Sequence, residues 1–255
     1  MSERLFAAAA KSRSDTVTIA AMINPELDFA PFRAALAADR RVQIPDFLEP
    51  AAAERLHECL AREVPWTLAE LVGGVRRTVE ADELATWGPE RYAQRIAELG
   101  ASAKDGFAFA YDNYMMVKKY LAADAVQVPL LRFVLELFNT PDFLLFAQEL
   151  TGHRGLRRVN AQATRYRPGH FLKHHNDENA EEGRQFAYVL NLTRRWEADW
   201  GGLLQFTDPN GAVIDSFVPR FNTLSLFRVP AGHHVTLVAP WAQEDRLAIT
   251  GWYTT

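Results

Sequence analysis

From Arg158 to the C-terminus, short β-rich runs follow one another with no helical segment between them: VNAQATRY, FAYVLNLT, GLLQF, AVIDSFV, TLSLF, HVTLV and RLAITGWY. Each is bounded by Gly, Pro, Asn or Asp, the residues that end strands and make tight turns. A parallel sheet needs a crossover helix between strands, so these runs exclude the alternating βαβ class. They predict an antiparallel sandwich or barrel.

The first half has a different pattern and reads as mostly helical. Helices are expected over residues 28–38, 50–64, 92–99, 129–138 and 142–150, with a strand at 41–45. Within 50–64, Ala53, Leu56, Leu60 and Val64 share one helical face. Pro129 suits a first helical position, and Thr151-Gly152 is a stop signal. Alanine runs at residues 7–10 and 51–53 read as helix-forming. The fold expected is mainly β with α: a C-terminal double-stranded β-helix, or jelly roll, over residues 156–255, packed against N-terminal helices over 1–155. No Gly/Ser-rich hinge divides the chain, so residues 1–255 are read as a single catalytic domain, with a packing boundary near residue 155.

A hydrophobic fraction of 48% suffices for a full core. The net charge of -4 argues against a nucleic-acid partner, which would call for a basic face. The single cysteine, Cys59, cannot close an internal disulfide and fits a reducing cytoplasm. The apolar run at residues 5–10 is too short for a signal-peptide core, and no stretch approaches the ~20 apolar residues of a membrane span. A cytoplasmic location without membrane association is expected.

Within the β-rich half, His175-Asn176-Asp177 is the only H-x-D or H-x-E in the chain. Residues i and i+2 of a strand share a face, so the tripeptide can present an imidazole beside a carboxylate. Two histidines and a carboxylate with open positions opposite are what non-haem iron(II) requires. Chance alone gives roughly 0.4 such tripeptides in a chain like this, so the motif is weak without a third ligand. Only His233 and His234 follow it. Adjacent strand residues face opposite ways, so one of the two can join the site, and parity does not say which. Zinc suits the same donors, and a cupin-like module could bind metal without turnover.

A dicarboxylate co-substrate needs a cation at its far end, and the planar fork of arginine fits best. Arg246 is the only Lys or Arg after Arg228 and opens the last β run. Arg246, Ala248 and Thr250 share one strand face there. Ala248 leaves room between the other two, and Thr250 has a hydroxyl to donate to the same carboxylate.

Taken together, RYRPGHFLKHHND, YVLNL, W-x-x-x-W-G-G-L-L-Q-F, NTLSLF, HHV-x-x-V and R-x-x-x-T-G-W-Y resemble the prolyl-hydroxylase-like branch of the iron(II)/2-oxoglutarate-dependent dioxygenases. The likeness runs over about residues 143–253, with a weaker echo in VQIPDFLEPAAAERL upstream. It implies that His233, with Val235 and Val238, fills the family's H-x-V-x-x-V pattern and that His234 points away. It implies metal and catalytic roles for His175, Asp177 and His233. Arg246, Thr250 and Tyr166 would hold the co-substrate, and Gly201-Gly202 would form a structural turn. Val189 stands where some members carry a tyrosine. The cofactors implied are Fe(II), 2-oxoglutarate and dioxygen, with L-ascorbate as an auxiliary reductant. The activity implied is hydroxylation coupled to conversion of 2-oxoglutarate into succinate and carbon dioxide.

The first expectation for the substrate is a prolyl residue in a protein partner. Free amino acids or small metabolites are the alternative, as is a metal-dependent sensing module without turnover. Selectivity is expected in the segments least like the family: residues 72–80, 107–116 and 178–184. Arg76 and Arg77 are candidates for an acidic partner surface. Tyr111, Tyr114, Met115 and Met116 are candidates for a substrate groove or for core packing.

Overall fold

The structure, a computed structural model, describes residues 22–122 and 128–255; the alanine run at 7–10 lies outside them. In chain order the first half forms helix α1 (Ala30–Asp39), strand β1 (Arg41–Ile44), helix α2 (Pro50–Arg62), strands β2 (Thr67–Val72) and β3 (Val75–Val79), helices α3 (Ala81–Ala85) and α4 (Pro89–Ser102), strand β4 (Phe109–Tyr114), and helices α5 (Met116–Leu121), α6 (Pro129–Phe138) and α7 (Pro141–Thr151). Helix α2 buries Ala53, Leu56 and Leu60. Helix α7 is capped by the Thr140 hydroxyl, which accepts from the Phe143 N–H, and closes at Gly152 in the left-handed region.

The second half supplies β5 (Arg158–Val159), β6 (Gln162–Tyr166), β7 (Phe171–His175), β8 (Arg184–Asn191), β9 (Leu204–Thr207), β10 (Val213–Phe217), β11 (Thr223–Arg228), β12 (His233–Val235) and β13 (Arg246–Thr254). All pairings are antiparallel, in the order β1-β11-β8-β13-β6-β4-β7-β12-β9-β10. Strand β4 pairs with both β6 and β7 and so carries the sheet from one wall to the other. The result is a nearly closed, jelly-roll-like barrel.

The first half is less helical than its sequence suggests. Strands β2, β3 and β4 extend the sheet, and strand pairing runs across residue 155 through β1–β11, β4–β6 and β4–β7. The reason is local. Val72 and Val75 pair across Gly73-Gly74, whose φ values of 59° and 78° satisfy a two-residue primed turn. Strands β2 and β4 are nearly buried on both faces, so neither shows the alternation that would reveal a strand.

The last strands separate two layers by parity. On β8, Phe186, Tyr188 and Leu190 pack among the helices, with Leu247, Ile249 and Tyr253 of β13. Ala187 and Val189 point the other way, towards Leu204, Phe206 and Phe227, as does Trp252. The barrel interior is therefore lined by odd residues of β8 and even residues of β13, which puts Arg246 inside. At the Gly201-Gly202 turn both φ values are positive, 69° and 60°, and a Cβ on Gly201 would lie 2.0 Å from the Leu237 carbonyl oxygen. No larger residue allows that approach.

A buried polar cluster fixes the turn between β6 and β7. Asp112, fully buried, takes Arg165 at 2.8 Å and Arg167 at 2.9 Å. His170, also fully buried, accepts the Arg167 N–H at Nδ1 and pairs with the Tyr92 hydroxyl through Nε2. Burial pushes the His170 imidazole down from 6.5 to about 4. The unfolded chain thus binds one more proton than the folded one between those values, so stability rises with pH across the window. Its contribution is complete above the ordinary value and lost as the pH falls towards 4, by about 3 kcal/mol. Urea unfolding at pH 7, 5.5 and 4.5 should show this acid loss in the wild type and a shallower one in His170→Asn. Identical pH dependence in both would remove His170 as the cause.

Candidate metal centre and co-substrate pocket

Strand pairing brings the first two donors together. His175 ends β7 and lies directly opposite His233, the first residue of β12, and their rings are 4.1 Å apart. His234 faces away from this pair and is half-buried, and His174 turns outwards to the Thr207 hydroxyl at 2.9 Å. The third donor arrives by a route other than the strand pleat expected from H-x-D. Strand β7 stops at His175, and Asp177 sits beyond it at φ 61°. Aspartate tolerates this left-handed conformation, and the Asn176 side chain supports the bend by accepting the Glu178 N–H at 3.0 Å. The carboxylate is thereby directed between the imidazoles, with Oδ1 3.3 Å from His175 Nε2 and Oδ2 3.4 Å from His233 Nε2.

The outer nitrogens define the inner ones. His175 Nδ1 donates to the Lys173 carbonyl at 2.9 Å, and His233 Nδ1 to the Ala231 carbonyl at 2.7 Å. A carbonyl only accepts, so each Nδ1 bears a proton and each Nε2 is left to face the site, as a lone-pair donor to a metal or as an N–H donor to Asp177. Two imidazole nitrogens and a carboxylate then converge, with ligand atoms of the three residues within 4.8 Å of one another. Bare nitrogens facing a carboxylate repel one another unless a cation or proton lies among them. Burial pushes the Asp177 carboxyl up, but its imidazole neighbours outweigh this and hold it below the usual carboxylate range. Among the described residues this is the one cluster of three or more His, Cys, Asp or Glu with metal-holding geometry. The donor set fits an open-sided divalent transition metal.

The same cavity holds a second unsatisfied group. Arg246 is 3% exposed, and its Nε and Nη1 have no hydrogen-bond partner. Tyr166, its cross-strand neighbour, sets its ring 5.2 Å from the guanidinium carbon and stacks on Tyr111 at 5.1 Å. A buried cation without a counter-charge costs several kcal/mol, and an anion entering the cavity would remove that cost. Thr250 and Val189 line the cavity too. Its volume is about 1160 Å³.

Three contributors escaped sequence reasoning. Trp252 lies on the β13 face of Arg246, six residues on, with its indole N–H buried and unpartnered. Its parity was readable. Arg184 stacks on Trp252 at 3.6 Å and donates to the Asp177 carbonyl at 3.3 Å, holding the turn that presents the carboxylate. Arg158 lines the cavity from β5, with its Nε buried and unpartnered. Nothing local distinguishes these two arginines. Of the groove candidates, Tyr111 and Met115 line the cavity, whereas Tyr114 and Met116 belong to the helical core.

Residues 161–254, which hold all three donors and Arg246, match the model of the 2OG-Fe(II) oxygenase superfamily. More narrowly, the chain resembles the prolyl-hydroxylase-like members. It is 31% identical over 118 residues to prolyl 3-hydroxylase OGFOD1 of Xenopus laevis and 28% identical over 118 residues to that of Mus musculus. Each match covers 44% of this chain but only 23% and 21% of those proteins, so the chain spans about a quarter of the relatives' length. Among solved structures, a Pseudomonas putida prolyl-4-hydroxylase superposes with a TM-score of 0.55 at 20% identity, over 89% of this chain and 98% of that one. An oxidoreductase of the 2OG-Fe(II) oxygenase family from Burkholderia pseudomallei gives 0.55 at 16%, over 90% and 92%.

Proposed function

We propose that this chain is an iron(II)- and 2-oxoglutarate-dependent dioxygenase that hydroxylates a prolyl residue in a protein. The observation that supports it most is the pairing, in one cavity, of an anion-seeking Arg246 with the convergent donors His175, Asp177 and His233. The three donors would hold iron(II), which when bound supplies activation of dioxygen coupled to decarboxylation of 2-oxoglutarate to succinate. L-Ascorbate would serve as auxiliary reductant.

The chain's residues have distinct tasks. Asp177 brings one negative charge to a divalent ion, leaving a net positive centre that attracts an anionic co-substrate. Arg246 would take the distal carboxylate of 2-oxoglutarate as a fork, assisted by Thr250 and flanked by Tyr166. Leu172, Leu204, Phe227 and Val235 line the cavity as apolar walls that limit water at the reacting atoms. A cavity of about 1160 Å³ exceeds the range of small-molecule sites, about 300–1,000 Å³, which favours a polypeptide over a free amino acid. A cytoplasmic setting goes with this reading, since the buried Cys59 is a free thiol.

The test is succinate formation by protein loaded with iron(II) under nitrogen and then exposed to oxygen, with and without a protein fraction of cell extract. Iron-dependent succinate stimulated by that fraction is expected, with a +16 Da prolyl product found by mass spectrometry. A folded, iron-loaded sample that makes no succinate under any condition would refute the reading.

A further inference from the structure

Beyond the metal and co-substrate ends, the cavity has a rim with its own electrostatic character. It is lined by Arg76, Arg77, Lys118, Arg158 and Arg184, against the carboxylates of Glu178 and Glu182. Two of the cations are committed: Arg77 pairs with Glu83 at 2.8 Å and Arg184 with Glu182 at 3.0 Å. Among the described residues, Arg76, Lys118 and Arg158 have no carboxylate within ion-pair distance. Arg76 lies over the Phe109 ring at 5.3 Å, and the Arg158 Nε is buried without a partner. After these pairings three free cations face one free acid, Glu178. The chain as a whole has a net charge of -4, so this excess of positive charge is local to the rim.

The rim is also apolar in part. Phe107 is 43% exposed, Met115 41% and Leu121 56%, and all three line the same cavity among the cations. Large apolar side chains left exposed beside uncompensated cations mark a surface made for covering. The cations come from separated elements: Arg76 from the β2–β3 hairpin, Lys118 from α5 and Arg158 from β5. All three line the one cavity, within reach of a segment that enters it. Free cations interleaved with apolar side chains are complementary to a chain with acidic and apolar residues. A nucleic acid fits less well, because Glu178 and the overall negative charge oppose a phosphate backbone.

We propose that this rim selects a polypeptide segment in which acidic residues flank the target proline, with Arg76, Lys118 and Arg158 as the specificity-determining cations. This deepens the functional reading above and rests on it for the identity of the target residue. The test uses fluorescein-labelled peptides of about eleven residues with a central proline, in three versions: Asp/Glu and Leu flanks, the Asn/Gln isosteres, and Lys flanks. Binding is followed by anisotropy under nitrogen with the full chain loaded with manganese(II) and 2-oxoglutarate. The acidic peptide should bind about tenfold tighter than its amide isostere, and the Lys version weakest. Raising NaCl from about 50 to about 500 mM should erase the difference. Arg158→Gln should lessen it, and the exposed Arg76→Glu and Lys118→Glu should reverse the order of the peptides. Equal binding of acidic and amide peptides, no binding of any peptide, or displacement of the acidic peptide by a single-stranded RNA oligomer at lower concentration would each overturn the proposal. Succinate formation scores the parent reading independently. Iron-dependent succinate with no acidic preference removes the rim selectivity alone, and acidic preference without succinate removes the oxygenase reading alone.

Discussion

Asp177→Ala is expected to abolish iron-dependent succinate formation, by at least about two orders of magnitude, while the protein stays folded. Asp177 is the one anionic donor of the three, and its two oxygens lie 3.3 and 3.4 Å from the two inward imidazole nitrogens. Without it the site has two imidazoles and loses both a ligand and the charge that offsets a divalent ion. Folding has other supports: the Asp177 carbonyl still takes Arg184 at 3.3 Å, and β7 and β12 still pair. Alanine at φ 61° costs about 1 kcal/mol of strain. Asp177→Asn tolerates that conformation and separates strain from ligand loss. Circular dichroism should show both variants folded, and iron titration should show both unable to hold the metal. Full activity in Asp177→Ala would mean that the metal centre lies elsewhere.

The second large effect has opposite signs with and without co-substrate. Arg246→Ala should raise the 2-oxoglutarate requirement about 30-fold or more, because truncating one member of a buried charged pair costs 2–5 kcal/mol. In the absence of 2-oxoglutarate the same substitution should leave the melting temperature unchanged or raise it. The wild-type guanidinium is 3% exposed with Nε and Nη1 unpaired, so removing it relieves a buried charge. Wild-type protein should gain stability as 2-oxoglutarate is added, and the variant should gain little. Arg246→Lys should fall between them, since an ammonium supplies charge without the fork. Unchanged co-substrate dependence in Arg246→Ala would remove Arg246 from this role.

The helices were readable where one face is buried and the other wet. Residues 129–138 and the stop at Gly152 follow from proline, periodicity and a left-handed cap. Strands β2 and β4 were not, because burial on both faces erases alternation. The Gly73-Gly74 pair that turns the hairpin was a usable signal. The acidic stretch at 178–184 hid Arg184, whose importance comes from Trp252, 68 positions away in the chain and 3.6 Å away in space.

The chain's own chemistry determined the donor types, the single H-x-D, the lone C-terminal arginine and the period-2 face that Arg246 shares with Thr250 and Trp252. These are local properties, set by residue identity and by the alternation of side chains along a strand. Only the tertiary structure decided that His233 lies opposite His175, that Asp177 reaches the site through a left-handed turn, that Arg246 is buried without a partner, and that Arg76, Lys118 and Arg158 share one rim. Register and burial arise from contacts between segments far apart in sequence, and no local pattern encodes which groups such contacts leave unpaired.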